Sequence, residues 1–264
     1  MVAAWTLDQE AVAWSRPELE VRLREELQKR RGVVLEQSRR EAEPKVGRIL
    51  ATGRRVDPSS PWFALKCHLK GVPLEADLEM HVGSSGYLGL TRVGKEMVNA
   101  SGLFRSEEGV KPGTGNPPER LAGLLANVGL EKVAERVMGA EDWEDGSMVG
   151  AAGIRFGWSD LPRDACAIGD ARVFIPPFTG RGMAMALESA AMAVEAVDQV
   201  WRSDGGWSSA MEALYRRLRR RFSRPVWLAR AVQEALLSAP WQPWVSKGAR
   251  RGWLPVRSMA GWLT

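Results

Sequence analysis

Residues 165–195 read ACAIGDARVFIPPFTGRGMAMALESAAMAVE, and in them lie the side chains whose types and spacing can do chemistry. An apolar run, 165–168, ends in Gly169-Asp170. A short loop follows with Pro176, Pro177, Gly180 and Gly182, and then an Ala- and Met-rich helix opens. An Asp at the carboxyl end of a strand can accept hydrogen bonds from sugar hydroxyls, and ligands of open α/β sheets bind at those ends. Glycines at a loop–helix junction let a ligand approach the backbone closely. The helix start presents unpaired N–H groups and a partial positive charge, which suit an anion or an electron-rich heteroatom. The two prolines stiffen the loop. Ala184, Ala186, Ala190 and Ala191 are small enough for close packing on a sheet. A Gly-x-Gly at a helix start alone carries little weight; the whole string is longer and more particular.

The elements that must position this segment are legible around it. Residues 15–31 read as a helix. Ser15 caps its start, Pro17 suits the first turn, Glu18 stands at the capping-box position, and Leu19, Leu23 and Leu27 form one stripe. Gly32 ends it, and 33–35 reads as a short buried strand. A second apolar run at 49–51 stops at Thr52-Gly53-Arg54-Arg55. From Trp62 the period changes: Phe63, Leu65, Cys67 and Leu69 alternate with Ala64, Lys66 and His68. Runs at 74–82, 87–93 and 97–104 follow, with the turn Gly83-Ser84-Ser85-Gly86, and the expectation is an antiparallel lobe inserted between α/β pieces. Residues 109–118 are a loop. Helices are expected near 119–127 and 130–138, a strand at 165–168, and a long helix over 181–201. Gly205-Gly206 breaks the chain, and further helices are expected over 208–222 and 225–238.

Residues 168–189 resemble the second FAD-binding motif of geranylgeranyl reductase-like flavoproteins, which are related to aromatic-hydroxylase (group A flavoprotein) monooxygenases and flavin-dependent halogenases. The residues that carry the resemblance are Gly169-Asp170-Ala171, Pro176-Pro177 and Gly180-Arg181-Gly182-Met183. Ser15-Arg16 resembles the motif whose Arg approaches the FAD pyrophosphate. Ala51-Thr52-Gly53-Arg54 resembles the family's strand-end turn, and the lobe after Trp62 resembles its substrate domain. The resemblance implies FAD as cofactor, with NADPH or NADH as the electron donor it allows. It implies cofactor binding by Arg16, Gly169, Asp170, Pro177, Gly180, Gly182 and Met183. Asp170 would hold the ribityl or diphosphate region, Gly182 and Met183 would offer amides to the pyrimidine edge, and Pro177 would lie along the flavin face.

The family begins with a strand, a G-x-G-x-x-G loop and a helix. That unit is missing here; the nearest string, Gly113-Thr114-Gly115-Asn116-Pro117-Pro118, lacks the third glycine and a preceding strand. Either the start of the chain has been lost or the protein is degenerate, and the intact flavin-side loop favours the first. The expected fold class is α/β (α+β overall): a Rossmann-like lobe, incomplete, with an antiparallel substrate lobe and C-terminal helices. Its expected parts are a partial FAD lobe at 1–61, the substrate lobe at 62–108 (extending to about 155), the flavin-side motif at 156–202, and a basic, Trp-rich helical region at 203–264.

Composition agrees with a folded chain: 264 residues, 45% hydrophobic and 26% charged. No apolar run is long enough to span a bilayer, and the N-terminus lacks a signal pattern, so the expected location is cytoplasmic with peripheral membrane contact as an option. The net charge of +5 is uneven: residues 201–264 carry +9 and the remainder −4. Seven of the 12 tryptophans lie at or beyond Trp201. The run RRLRRRFSR at 216–224, with the later tryptophans, suits an anionic headgroup surface; the expected contact lies in 216–262. Nucleic acid is not expected as a partner. The expected substrate is a small molecule or a lipid. A non-catalytic fragment that associates with membranes or partners through this tail is the alternative reading. Cys67 and Cys166 form neither a disulfide framework nor a zinc site, and no metal is expected. His68 and His81 read as structural. Glu141-Asp142 and Glu144-Asp145 read as solvated. No Ser-His-Asp order or G-x-S-x-G elbow points to a hydrolase, and no side chain of the second lobe is an evident catalytic acid or base.

Overall fold

The computed structural model describes residues 16–37, 43–106, 114–202, 205–238, 240 and 242–250. Its centre is an antiparallel sheet. The strands are β1 (Trp62–Lys70), β2 (Leu78–Val82), β3 (Gly86–Val93), β4 (Met97–Arg105), β5 (Asp142–Trp143) and β6 (Val149–Ala151), in the order β2-β3-β4-β1-β5, with β6 also pairing β1. The alternation read from Phe63 to Leu69 has its expected consequence: Cys67 and Leu69 are buried while Lys66 is exposed. The expected strand at 74–82 is shorter, because only residues from Leu78 on pair with β3. At the turn into β3, Gly83 donates its N–H to Gly86 O at 2.8 Å. A Cβ on Gly83 would stand 2.3 Å from Val128 O, so no larger residue fits there.

Helices α2 (Pro117–Asn127) and α3 (Glu131–Met138) cover one face of the sheet. Asn116 caps α2 reciprocally with Glu119: the Glu119 amide donates to Asn116 Oδ1, and the Asn116 amide to Glu119 Oε2, both at 3.0 Å. Leu121, Leu124, Leu125 and Val137 pack on Leu69, Leu88, Leu90 and Phe104. Arg136 of α3 donates to both carboxylate oxygens of Glu79 on β2, at 2.9 and 3.3 Å, and His81 Nε2 lies 2.8 Å from the same carboxylate. Burial pushes the Glu79 carboxyl up, but Arg136, the Glu75 amide and His81 outweigh it and hold it at about 2. His81 is thereby engaged structurally, and His68 likewise pairs with Glu144.

The opposite face of the sheet carries Trp62, Tyr87 and Leu103. It meets an aromatic cluster in which Phe156 stacks on Phe174 at 5.6 Å and Phe178 stands edge-on to Tyr87 at 6.1 Å. The short pair β7 (Gly157–Trp158) and β8 (Val173–Phe174) leads from this cluster toward α4 (Gly182–Arg202). Helix α4 packs its Met185, Ala193 and Ala196 against Met211, Leu214, Leu218 and Phe222 of α5 (Trp207–Leu237). A last helix, α6 (Gln242–Arg250), is hooked back by Gln242, whose Nε2 donates to Gly83 O at 2.6 Å and Leu236 O at 3.0 Å.

Three expectations need correction. The helices expected over 208–222 and 225–238 are one helix that runs through Pro225. A proline costs α5 one N–H bond and some strain. The buried stripe Met211, Leu214, Leu218, Phe222, Val226 and Ala229 continues across it, and each fully buried large side chain contributes about 1.5–3 kcal/mol. The expected strand at 33–35 is not formed: these residues lie outside any ladder, and Val34 is 87% exposed. The runs at 49–51 and 165–168 meet in a single parallel bridge, Leu50 with Ala167, and not in extended strands. Helix α1 (Arg16–Gln28) forms as read, but its stripe is uncovered: Leu23 and Leu27 are exposed.

Candidate functional site

The site read from the sequence starts at that bridge. The Leu50 amide donates to Cys166 O at 2.8 Å, and the Ile168 amide to Leu50 O at 3.0 Å. Gly169 then turns the chain with φ of +54°, in the left-handed region that favours glycine. Its amide donates to Ser189 Oγ at 2.9 Å, and the Ser189 hydroxyl donates in turn to Ala186 O at 2.8 Å. A Cβ on Gly169 would lie 3.1 Å from the Ala186 methyl. Ala186 and Ser189 thus let the Gly169–Ala171 turn lie against the second turn of that helix, but Ala184 and Ala191 are exposed, so the four alanines do not pack together on a sheet as expected. Asp170 sits half-buried in this turn.

Arg172, one residue beyond the turn, is almost wholly buried and has no carboxylate at salt-bridge distance among the described residues. It donates instead to Leu161 O at 3.1 Å, Pro162 O at 3.0 Å and Ala165 O, and lies over the Tyr215 ring at 5.2 Å. Burial pulls its guanidinium below the usual range, while Tyr215 pulls it back up. This arginine fastens the 159–165 loop beneath the turn. Sequence reading passed over it.

The proline loop is preformed by its own bonds. The Thr179 amide donates to Pro176 O at 3.2 Å, the Gly180 amide to Pro177 O at 3.0 Å, and the Thr179 hydroxyl to Pro176 O at 2.9 Å. Gly180 has φ of +67°. The first α4 hydrogen bond of the helix runs from the Met185 amide to Arg181 O at 2.9 Å. The amides of Gly182, Met183 and Ala184 precede it and have no acceptor within the helix. No atom lies within 4 Å of a Cβ placed on Gly180 or on Gly182, so open space adjoins the loop where the amides emerge. Arg181 is turned inward: burial lowers its pKa, Glu188 raises it, and Arg181 Nη2 lies 3.5 Å from Glu188 Oε1. Arg221 of α5 holds the same carboxylate at 2.9 Å. The loop thus offers amides rather than a cationic side chain.

The remaining motif residues are placed as follows. Thr52 and Ala51 are exposed at the end of the Leu50 bridge. Arg54 folds away to donate to Gly153 O and Ala152 O, each at 3.2 Å. Arg16 begins α1; Ser15 and the Arg16 side chain lie outside the described residues. The Gly113 string lies partly outside them as well. Among the described residues no three His, Cys, Asp or Glu side chains converge as metal ligands, and no helix is long and apolar enough to cross a membrane. Burial pushes the Cys67 thiol up to about 11, so it stays protonated.

Two residues near the loop escaped the sequence reading. A cavity of about 20 Å³, room for one water, lies behind Phe178 between the sheet and α5, lined by Met80, Val82, Tyr87, Phe178, Gln233 and Leu236. The Tyr87 hydroxyl and Gln233 Oε1 are buried there without a hydrogen-bond partner. Gln233 had a signal in the sequence, because it is the one polar residue among the buried positions of α5. Tyr87 had none.

No family model and no curated protein matches the sequence. Solved structures do. The flavin-dependent brominase Bmp2 aligns with a TM-score of 0.58 and 17% identity, over 78% of this chain and 51% of its own. HpxO of Klebsiella pneumoniae, crystallised with FAD and uric acid, aligns at 0.54 and 15% identity, over 81% of this chain and 55% of its own. The myxobacterial chondrochloren halogenase CndH, an FAD-dependent halogenase, aligns at 0.50 and 18% identity, over 65% and 41%. At these identities the likeness is one of fold. The chain spans about half the length of the structures it matches.

Proposed function

We propose that this chain is the flavin-facing part of an FAD-dependent oxidoreductase, of reductase or monooxygenase type, acting on an organic substrate beside its antiparallel sheet. The observation that carries the reading is the preformed loop at 176–182. It ends in helix-start amides that have no acceptor within the helix, beside open space, in a fold shared with flavin-dependent enzymes. The residues present fit the group. Amides at Gly182 and Met183 suit the electron-rich pyrimidine edge of a flavin. Asp170, in a turn packed on α4, suits the hydroxyls of a ribityl chain. Pro177, exposed on the loop, would lie along the ring, while Gly169 and Gly180 shape the backbone around it. Bound FAD would supply the hydride-accepting and hydride-donating centre, with NADPH or NADH as donor. The chain's own part is to bind, orient and tune.

The same reading accounts for surfaces that this chain leaves bare. Met183, Leu187, Val194 and Trp201 fall on one face of α4 and are 52, 65, 63 and 83% exposed. Among the described residues the runs at 49–51 and 165–168 pair only through the Leu50–Ala167 bridge. An exposed apolar helix face is a surface that a strand–loop–helix unit would cover. In this proposal a glycine-rich unit of that kind completes the diphosphate cradle and the cofactor site, and the chain alone binds FAD weakly. The test is an FAD titration followed by quenching of flavin fluorescence, for the chain alone and for the chain joined to such a unit. Asp170→Ala should weaken binding by about tenfold or more in the joined protein, since a hydrogen bond to a charged group contributes about 1.5–3 kcal/mol. Equal affinities for the wild type and Asp170→Ala would refute the assignment of that carboxylate.

A further inference from the structure

Helix α5 carries more arginines than its ion pairs and ring contacts among the described residues use. Arg217 donates to Glu195 at 2.6 Å, Arg221 holds Glu188, and Arg219 stacks on Trp158 at 4.7 Å from the ring centre. These three tie α5 to α4 and β7. Arg220 and Arg224, one turn apart, share another face with Trp227 and the flanking Arg230. All four are exposed, Trp227 to 70%. Arg216, also exposed on this face, reaches only Glu212 at 3.8 Å. The pattern repeats on α6, where Trp244 is 67% exposed and Lys247 stacks on its ring at 5.7 Å.

We infer that this face of α5, with the start of α6, is a docking surface for an anionic lipid bilayer. Charge complementarity selects an anionic partner. The exposed indoles select a lipid one, because Trp rings settle at the headgroup level where one edge is wet and the other apolar, while adjacent guanidinium groups meet lipid phosphates. The contact is peripheral, since no described helix can span. It shares no residue with the flavin loop, although α5 returns to that end of α4, where Arg221 and Arg181 meet the same Glu188 carboxylate, so the two proposals are read from different side chains. Failure of one proposal therefore leaves the other standing.

The experiment is co-sedimentation of the full chain with vesicles of phosphatidylcholine alone and of phosphatidylcholine mixed with phosphatidylserine, with tryptophan emission recorded in parallel. The chain should pellet with the mixed vesicles, lose them as salt rises, and shift its emission to the blue. Arg220→Gln with Arg224→Gln should weaken partitioning about 25-fold, about fivefold for each charge removed. Trp227→Ser should reduce the blue shift. These positions are solvent-exposed, so circular dichroism should show the variants folded. Equal binding to neutral vesicles would overturn the proposal by tracing adsorption to the bare face of α4. So would binding unchanged in the double variant, or a preference for single-stranded RNA over the mixed vesicles.

Discussion

Gly169 is the residue at which backbone and packing most narrowly constrain the proposed cofactor turn. Its φ of +54° suits glycine, and its missing side chain lets the turn reach α4 beside Ala186. Gly169→Ala should destabilise the chain by about 1–3 kcal/mol from strain in the left-handed region alone. Thermal melting would show it; an unchanged Tm would mean that the backbone at 169 is not held in the left-handed region. A second residue-scale prediction concerns Glu79. Its carboxyl is held at about 2, well below its ordinary value. The stability it contributes is therefore fully present above about pH 4.5, and is lost as pH falls toward 2. Glu79→Gln should lower stability at neutral pH and flatten the acid limb between these values in urea melts taken across pH. An acid limb identical to the wild type would show that other carboxylates dominate it. At this scale the sequence was informative about glycines and the capping pair, whose conformations are local. It was silent on Tyr87 and Arg172, whose surroundings come from segments far apart in the chain.

The elements divide by where their stabilisation comes from. Strands β1, β3 and β4 and helices α2 and α3 were legible because each has a period that buries one face, and its partners lie within the same lobe. Helix α5 was misread as two because proline is a strong local signal; the continuity of the buried stripe across Pro225 is the stronger term once α4 is present to receive it. The short apolar run at 33–35 was misread in the opposite sense, since an apolar triplet becomes a strand only beside another strand. Helix α4 belongs to both groups: its inner face packs on α5, and its outer stripe, Met183, Leu187, Val194 and Trp201, is left to water. An exposed stripe of this length promotes self-association. Leu187→Glu with Val194→Glu should reduce oligomers in light scattering and leave the melting temperature of the chain nearly unchanged. A large fall in melting temperature would place those side chains in the core instead.

Across the whole molecule, the aromatic face of the sheet, the proline loop and the start of α4 form one continuous region, with Phe178 between the Tyr87 cavity and the loop. The resemblance carried by residues 168–189 and the shared fold with flavin-dependent enzymes are separate observations. The first rests on a loop and the second on the arrangement of lobes. The sequence located the candidate site because glycine, proline and a strand-end carboxylate lie close together in the chain. It could not locate the cavity, which needs β2, β3, the loop and α5 at once. The most direct measurement is amide hydrogen exchange by mass spectrometry with and without a large excess of FAD. The account predicts added protection in 169–171 and 180–185, where the turn and the helix-start amides lie, with the ladders between β1 and β4 unchanged. Protection confined to other segments, or none at FAD concentrations that quench flavin fluorescence, would contradict it.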